Sequence, residues 1–115
     1  MSLRSVRSHT SLLFTAVCAL LAPFPTLAWD GIQTSTLQGM EVTAGTNYGF
    51  RISLAGVSNM CTGGSGMAYL NDTDSNYKIY VAVLMLANAQ GKRVSVYTNL
   101  EGGECHIKYI SVVPS

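Results

Sequence analysis

The sequence predicts a mostly β domain carrying a single helix, in the order β-β-β-α-β-β. Three observations give that order. Residues 48–54, YGFRISL, alternate apolar and polar with period two, as a half-buried strand does. A helix-like stretch running to about Gln90 is apolar at nearly every position from Ile79 to Ala87, and Gly91 after it is suited to a helix stop. Beyond them, KRVSVYTN and CHIKYISVV are rich in β-branched and aromatic residues and are parted by the glycine turn LEGGE.

The first 28 residues stand apart. Arg4 and Arg7 precede an apolar run from Leu12 to Ala22, and Thr26-Leu27-Ala28 offers small residues where a signal peptidase cuts. This predicts a secretory signal peptide over 1–28 and one domain over 29–115, secreted or periplasmic. The apolar run is short for a membrane span, so no stable membrane insertion is expected. Without the leader, five basic residues (Arg51, Lys78, Lys92, Arg93, Lys108) face six acidic ones (Asp30, Glu41, Asp72, Asp74, Glu101, Glu104), a net charge near −1. No basic patch is present to neutralise phosphates, which argues against a nucleic-acid partner. Cys18 leaves with the leader. Cys61 and Cys105 form an even pair, expected as a disulfide in an oxidising compartment. As metal ligands they would lack companions, since His106 is the one histidine beyond the leader. No metal or cofactor is expected.

The elements follow in order. GIQTSTLQGMEVT, residues 31–43, reads as a long first strand whose alternation slips between Ile32 and the Met40/Val42 pair. Gly39 marks the expected bulge or bend. In the second strand Tyr48, Phe50, Ile52 and Leu54 share one side, with Arg51 and Ser53 on the other. GVSNMCTGGSG reads as a flexible loop that lets Cys61 reach Cys105, and GMAYLN as a short third strand. Asp72, Thr73 and Asp74 offer caps and negative charge for the helix N-terminus. In the fourth strand Val94 and Val96 point inward, and Arg93, Ser95 and Tyr97 outward. The fifth strand changes phase between Tyr109 and Ile110, which suggests a second bulge or burial on both faces. Three strands, a helix and two strands is the order of a five-stranded OB-fold-like barrel.

On a helical wheel Leu86, Ile79, Val83, Ala87, Tyr80 and Leu84 cover one arc, extended by Tyr77 and Val81. Lys78, Ala82, Met85 and Ala89 occupy the remaining side, with Lys78 its sole charge. A helix that caps a small barrel needs one apolar stripe, and this one has more. Either loops and small alanines account for the second side, or it contacts another subunit.

The chain resembles the receptor-binding B subunits of bacterial AB5 toxins, of the subtilase cytotoxin and typhoid toxin type. The resemblance lies in the leader ending before Trp29, the strand around YGFRISL, and the helix running through Ala87-Asn88-Ala89-Gln90-Gly91-Lys92-Arg93-Val94-Ser95-Val96-Tyr97. It implies an OB-fold, a homopentamer with helices lining its centre, a glycan or glycoprotein ligand at the outer surface, and a toxin A subunit as partner. An uncharacterised periplasmic relative outside any toxin would share these features.

No catalytic constellation is legible. A disulfide-bonded Cys105 is no nucleophile for the adjacent His106, which reads as a surface or packing residue. The serines form no nucleophile elbow. Asp72-Thr73-Asp74-Ser75-Asn76 imitates the start of a calcium loop, but Tyr77 and Val83 stand where its glycine and bidentate glutamate belong. Sugar recognition calls for an aromatic face beside amide, hydroxyl or charged groups. Arg51, Ser53, Ser95, Tyr97 and Asn99 supply these types on outward strand positions, and Trp29, the one tryptophan of the chain, could join them. The sequence thus predicts a non-catalytic, oligomeric glycan-binding module. The alternative is a monomeric periplasmic protein that binds or inhibits another protein through the loop 57–66.

Overall fold

The computed structural model describes residues 29–114, and the expected leader with Cys18 lies outside the described residues. The elements are β1 (Gly31–Val42), β2 (Phe50–Leu54), β3 (Ala68–Leu70), α1 (Tyr77–Ala89), β4 (Arg93–Glu101) and β5 (Glu104–Val112). The order matches the one predicted. The five strands close in a ring, β1-β2-β3-β5-β4, with β4 returning to β1. All neighbours run antiparallel except β3 and β5, which pair in parallel at Ala68↔Cys105 and Tyr69↔His106.

Strand β1 is long enough to serve two neighbours. Its first half, Gly31 to Thr36, pairs with β4, and its second half, from Leu37 to Val42, with β2. The β1–β2 register slips between Leu37 and Gly39, where the broken alternation predicted a bulge. The extra residue, Gln38, lets Leu37 and Met40 both pack against the core although they are three positions apart. A second slip lies between β4 and β5, where Tyr97 faces Tyr109 but Thr98 faces Ile107. Lys108 is the extra residue, one position before the predicted phase change.

The core follows the period-two pattern. Phe50, Ile52 and Leu54 of β2, Val94 and Val96 of β4, and Cys105 and Ile107 of β5 are buried, joined by Leu84 and Ala87 of α1. Thr98 shares the inward face; its hydroxyl donates to the Met60 carbonyl at 3.1 Å, so its polar atom is satisfied. Tyr48 departs from the predicted alternation. It lies before β2 with φ 59, exposed, its amide donating to Asn71 Oδ1 at 2.8 Å. The Cys61–Cys105 disulfide is formed, with the Cα atoms 5.8 Å apart. Closing the loop between them contributes about 4 kcal/mol by lost unfolded-state entropy. The loop 57–66 is pinned rather than flexible. Met60 is fully buried and its amide donates to the Ser65 carbonyl, while Gly64 lies so close to both sulfurs that a Cβ there would collide with them.

Helix α1 begins differently from prediction and ends as predicted. The residue before it is Asn76, left-handed at φ 64 and making no side-chain cap. Asp72 and Thr73 are exposed, and the Asp74 carboxylate is drawn away to the Asn71 amide (2.8 Å) and to His106. At the C-terminus the Lys92 amide donates to the Ala87 carbonyl and the Gly91 amide to Asn88, with Gly91 at φ +64. This double closure needs the left-handed residue that glycine supplies. The core-facing stripe is Tyr77, Tyr80, Val81, Leu84 and Ala87. Ile79 and Leu86, placed by the wheel among the core positions, are instead 62% and 59% exposed. No helix among the described residues is long and apolar enough to cross a membrane.

Candidate functional site

The outer face of β1, β4 and β5 carries an aromatic row. Because Val94, Val96 and Thr98 point inward, Ser95 and Tyr97 must point out. Cross-strand pairing then aligns Ile32, Tyr97 and Tyr109 side by side, and Thr34, Ser95 and Ser111 in the next row. Tyr97 is flanked edge-on by Trp29, with ring centres 5.4 Å apart, and by Tyr109 at 4.9 Å. Ile32 and Tyr109 are about half exposed, at 52% and 51%. The Thr34 and Ser95 hydroxyls hydrogen-bond at 2.7 Å. Next to Trp29 in the chain, Asp30 borders a polar notch of about 190 Å3 with Gln33, Asn59 and Thr62.

The predicted ligand set divides. Trp29, Ser95, Tyr97 and Asn99 lie along the β4 side, and Asn99 Oδ1 accepts from the Asp30 amide at 3.3 Å. Arg51 and Ser53 sit on β2. Tyr97 stands opposite Ile32 and Arg51 opposite Glu41. Those positions are nine residues apart on β1, or roughly 30 Å of strand at about 3.3 Å per residue. Arg51 forms an ion pair with Glu41 at 3.0 Å. Tyr109, Ile32, Thr34 and Ser111 were absent from the predicted set. Strict alternation from the buried Cys105 and Ile107 would turn Tyr109 inward; the bulge at Lys108 turns it outward, and the register with β4 seats it beside Tyr97.

A second cluster surrounds His106, which is buried at 6% exposure. The parallel β3–β5 pair sets its ring flat on Tyr69, 4.5 Å between centres and 9° between planes. Nε2 lies 2.6 Å from Asp74 Oδ2, and Nδ1 lies 2.7 Å from Glu101 Oε1. The neutral ring has one N–H and serves one carboxylate at a time, whereas the imidazolium serves both. Lys108 reaches the other Glu101 oxygen at 2.9 Å. The hydrogen bonds from His106 and then Lys108 hold the Glu101 carboxyl below the usual carboxylate range. Burial, reinforced by Glu101, Tyr48 and Asp74, pushes the Tyr69 hydroxyl up to about 12. Sequence reasoning read His106 as a surface or packing residue and did not foresee its two carboxylates. Its partners are brought by the loop before α1 and by the β4–β5 turn.

The third feature is the outer face of α1. Lys78, Ala82, Met85 and Ala89, the predicted subunit contact, are all exposed. Ile79 and Leu86 widen the face, and Ile79, Tyr80 and Val83 line an apolar groove of about 270 Å3 against Ile110 of β5. Set beside protein-family models, curated proteins and solved structures, the chain matches none of them.

Proposed function

We propose that the protein is an exported, non-catalytic glycan-binding module with an OB-fold barrel, like a toxin B subunit in fold and ligand class, and that it associates with copies of itself. The observation that carries the ligand class is the outward aromatic row of half-buried Trp29 and Tyr97 and exposed Tyr109, flanked by the Thr34, Ser95 and Ser111 hydroxyls. A sugar ring has an apolar face that stacks on an aromatic and hydroxyls that need hydrogen-bond partners, and this surface offers both. The ring order of the strands and the helix between β3 and β4 support the barrel class. The Cys61–Cys105 disulfide supports export to an oxidising compartment. Self-association is supported by the apolar outer face of α1. Binding of a protein through the loop 57–66 has less support, because the packing of Met60 and Cys61 fixes that loop.

Trp29 is the only tryptophan, so its fluorescence reports directly on the site. A glycan array with the oxidised protein identifies sugars, and titration of each hit should change Trp29 emission and lose at least tenfold in affinity in Tyr97→Ala. No sugar bound at millimolar concentration would sink the glycan reading.

A further inference from the structure

We propose that the free edge of β5 pairs antiparallel with the β5 edge of a second copy, a contact completed by the exposed face of α1. This rests on the self-association in the reading above and is independent of the ligand.

The Val113 amide donates to the Arg93 carbonyl at 2.9 Å, which fixes the phase of the β4–β5 ladder. In an antiparallel pair hydrogen-bonded and non-hydrogen-bonded positions alternate. Ser111 and Tyr109 therefore bond to Ser95 and Tyr97, while the amides and carbonyls of Ile110 and Val112 point away from β4. On that side β3 reaches only Cys105 and His106. The Tyr80 hydroxyl caps the Lys108 carbonyl at 2.9 Å, and beyond it no strand among the described residues runs along Ile110 to Val112. Unpaired edges template further strands, and proteins usually blunt them with charge or proline. Residues 109–113, YISVV, carry neither, and Lys108 and Pro114 on either side limit the open edge to that short stretch.

The groove beside this edge supplies the second half of the contact. It is lined by Asn76, Ile79, Tyr80 and Val83 of the helix side and Ile110 of the strand. An incoming strand would meet backbone donors and acceptors on one side and apolar side chains on the other, the two requirements of strand addition. The occupant that fits is the same segment of another copy. A two-fold axis at Ser111 places Ile110 opposite the partner's Val112 and the reverse, so each edge group finds its complement. The same axis brings two α1 faces together, each carrying Lys78 as its one charge. Ile79, Met85 and Leu86, each more than half exposed, then add an apolar centre to the strand contact, as an interface of about 800 Å2 per partner requires. Each copy would keep its Tyr97–Tyr109 row on the outer face of the joined sheet, giving a bivalent surface.

The test is the solution mass of the oxidised protein, expressed as the full chain, across a hundredfold range of concentration, beside Val112→Pro. The Val112 amide serves no pairing among the described residues, so proline there removes only the edge donor. The expected result is a wild-type dimer and a folded Val112→Pro monomer, with dissociation at least tenfold easier. A wild type that stays monomeric overturns both this contact and the self-association reading. Equal association of both proteins, or a ring of five, overturns the edge pairing and leaves self-association standing. Should Val112→Pro fail to fold, hydrogen exchange decides on the wild type: Ile110 and Val112 amides whose protection rises with concentration support the pairing, and protection independent of concentration overturns it.

Discussion

Two patches on the outside of the same ring of strands treat their polar groups in opposite ways. Around His106, the side chains of Asp74, Glu101 and Lys108 are partnered with one another or with the imidazole, and Tyr69 covers the ring. Around Tyr97, the Thr34 and Ser95 hydroxyls pair with each other, the aromatic rings meet edge to face, and Ile32 and Tyr109 leave half their surface to solvent. The first patch has the more eye-catching chemistry, a histidine between two carboxylates, yet its internal pairing leaves little for a ligand. The second has no charge and leaves recognition surface unused. Internal satisfaction of the groups, rather than their chemical type, separates a structural cluster from a candidate binding face.

The largest expected effect breaks the first patch. His106→Leu leaves Asp74 and Glu101 facing each other's charge with no donor between them, and Asp74 is mostly buried. Loss of one partner of such a cluster should cost about 3 kcal/mol, read as a lower urea midpoint at unchanged slope. Binding of any glycan hit by the folded fraction should be unchanged. A loss well under about 1 kcal/mol would mean that the cluster is solvated and the comparison misdrawn.

Tyr97→Ala should do the reverse. Two edge-to-face contacts are lost at a half-buried site, which costs about 1–2 kcal/mol in thermal unfolding. Glycan affinity should fall by far more than stability suggests. Equal glycan affinity in wild type and Tyr97→Ala would move the site elsewhere.

The pH dependence of unfolding sharpens the contrast further. The Glu101 carboxyl is held low in the folded state, so its contribution is present above the ordinary carboxylate range and lost as pH falls through the depressed value. Tyr69 is raised from 10.0 to about 12, so its contribution is complete below 10.0 and lost as pH rises toward 12. Both arms belong to the His106 patch. Urea midpoints across pH should flatten at the acid end in Glu101→Gln and at the alkaline end in Tyr69→Phe, and should keep both arms in Tyr97→Ala.

Local patterns make much of the fold legible in the sequence. The clean alternation of Phe50, Ile52 and Leu54, the bulge near Gly39 and the stop at Gly91 all depend on neighbours within a few residues. The orientation of α1 was half legible. Nearly every position from Ile79 to Ala87 is apolar, so a wheel cannot choose which stripe meets the core, and Ile79 and Leu86 were placed on the wrong side. The His106 cluster was illegible for a different reason. Asp74 lies 32 residues away and is brought by the parallel β3–β5 pairing, for which no spacing rule exists. Within the candidate site, Trp29 and Tyr97 could be named from the sequence as single outward residues. Their convergence with Tyr109 needed the register that the Lys108 bulge sets.

Arg51 provides the smallest effect and the sharpest test of where the ligand face ends. Residue type and outward direction put it in the same set as Tyr97, but β1 separates the two, and its guanidinium already serves Glu41 in a pair exposed at 37% and 56%. Exposed pairs of this kind hold long side chains in place for little net Coulomb gain, so Arg51→Ala should change stability by less than about 1 kcal/mol. If recognition is confined to the β1–β4–β5 face, the same substitution should leave glycan affinity within twofold in a titration followed by Trp29 emission. A tenfold loss with intact folding would extend the ligand across the bend of β1 to the β2 side. Recognition would then depend on a charge as well as on the aromatic row, and an anionic sugar would be the ligand to try next.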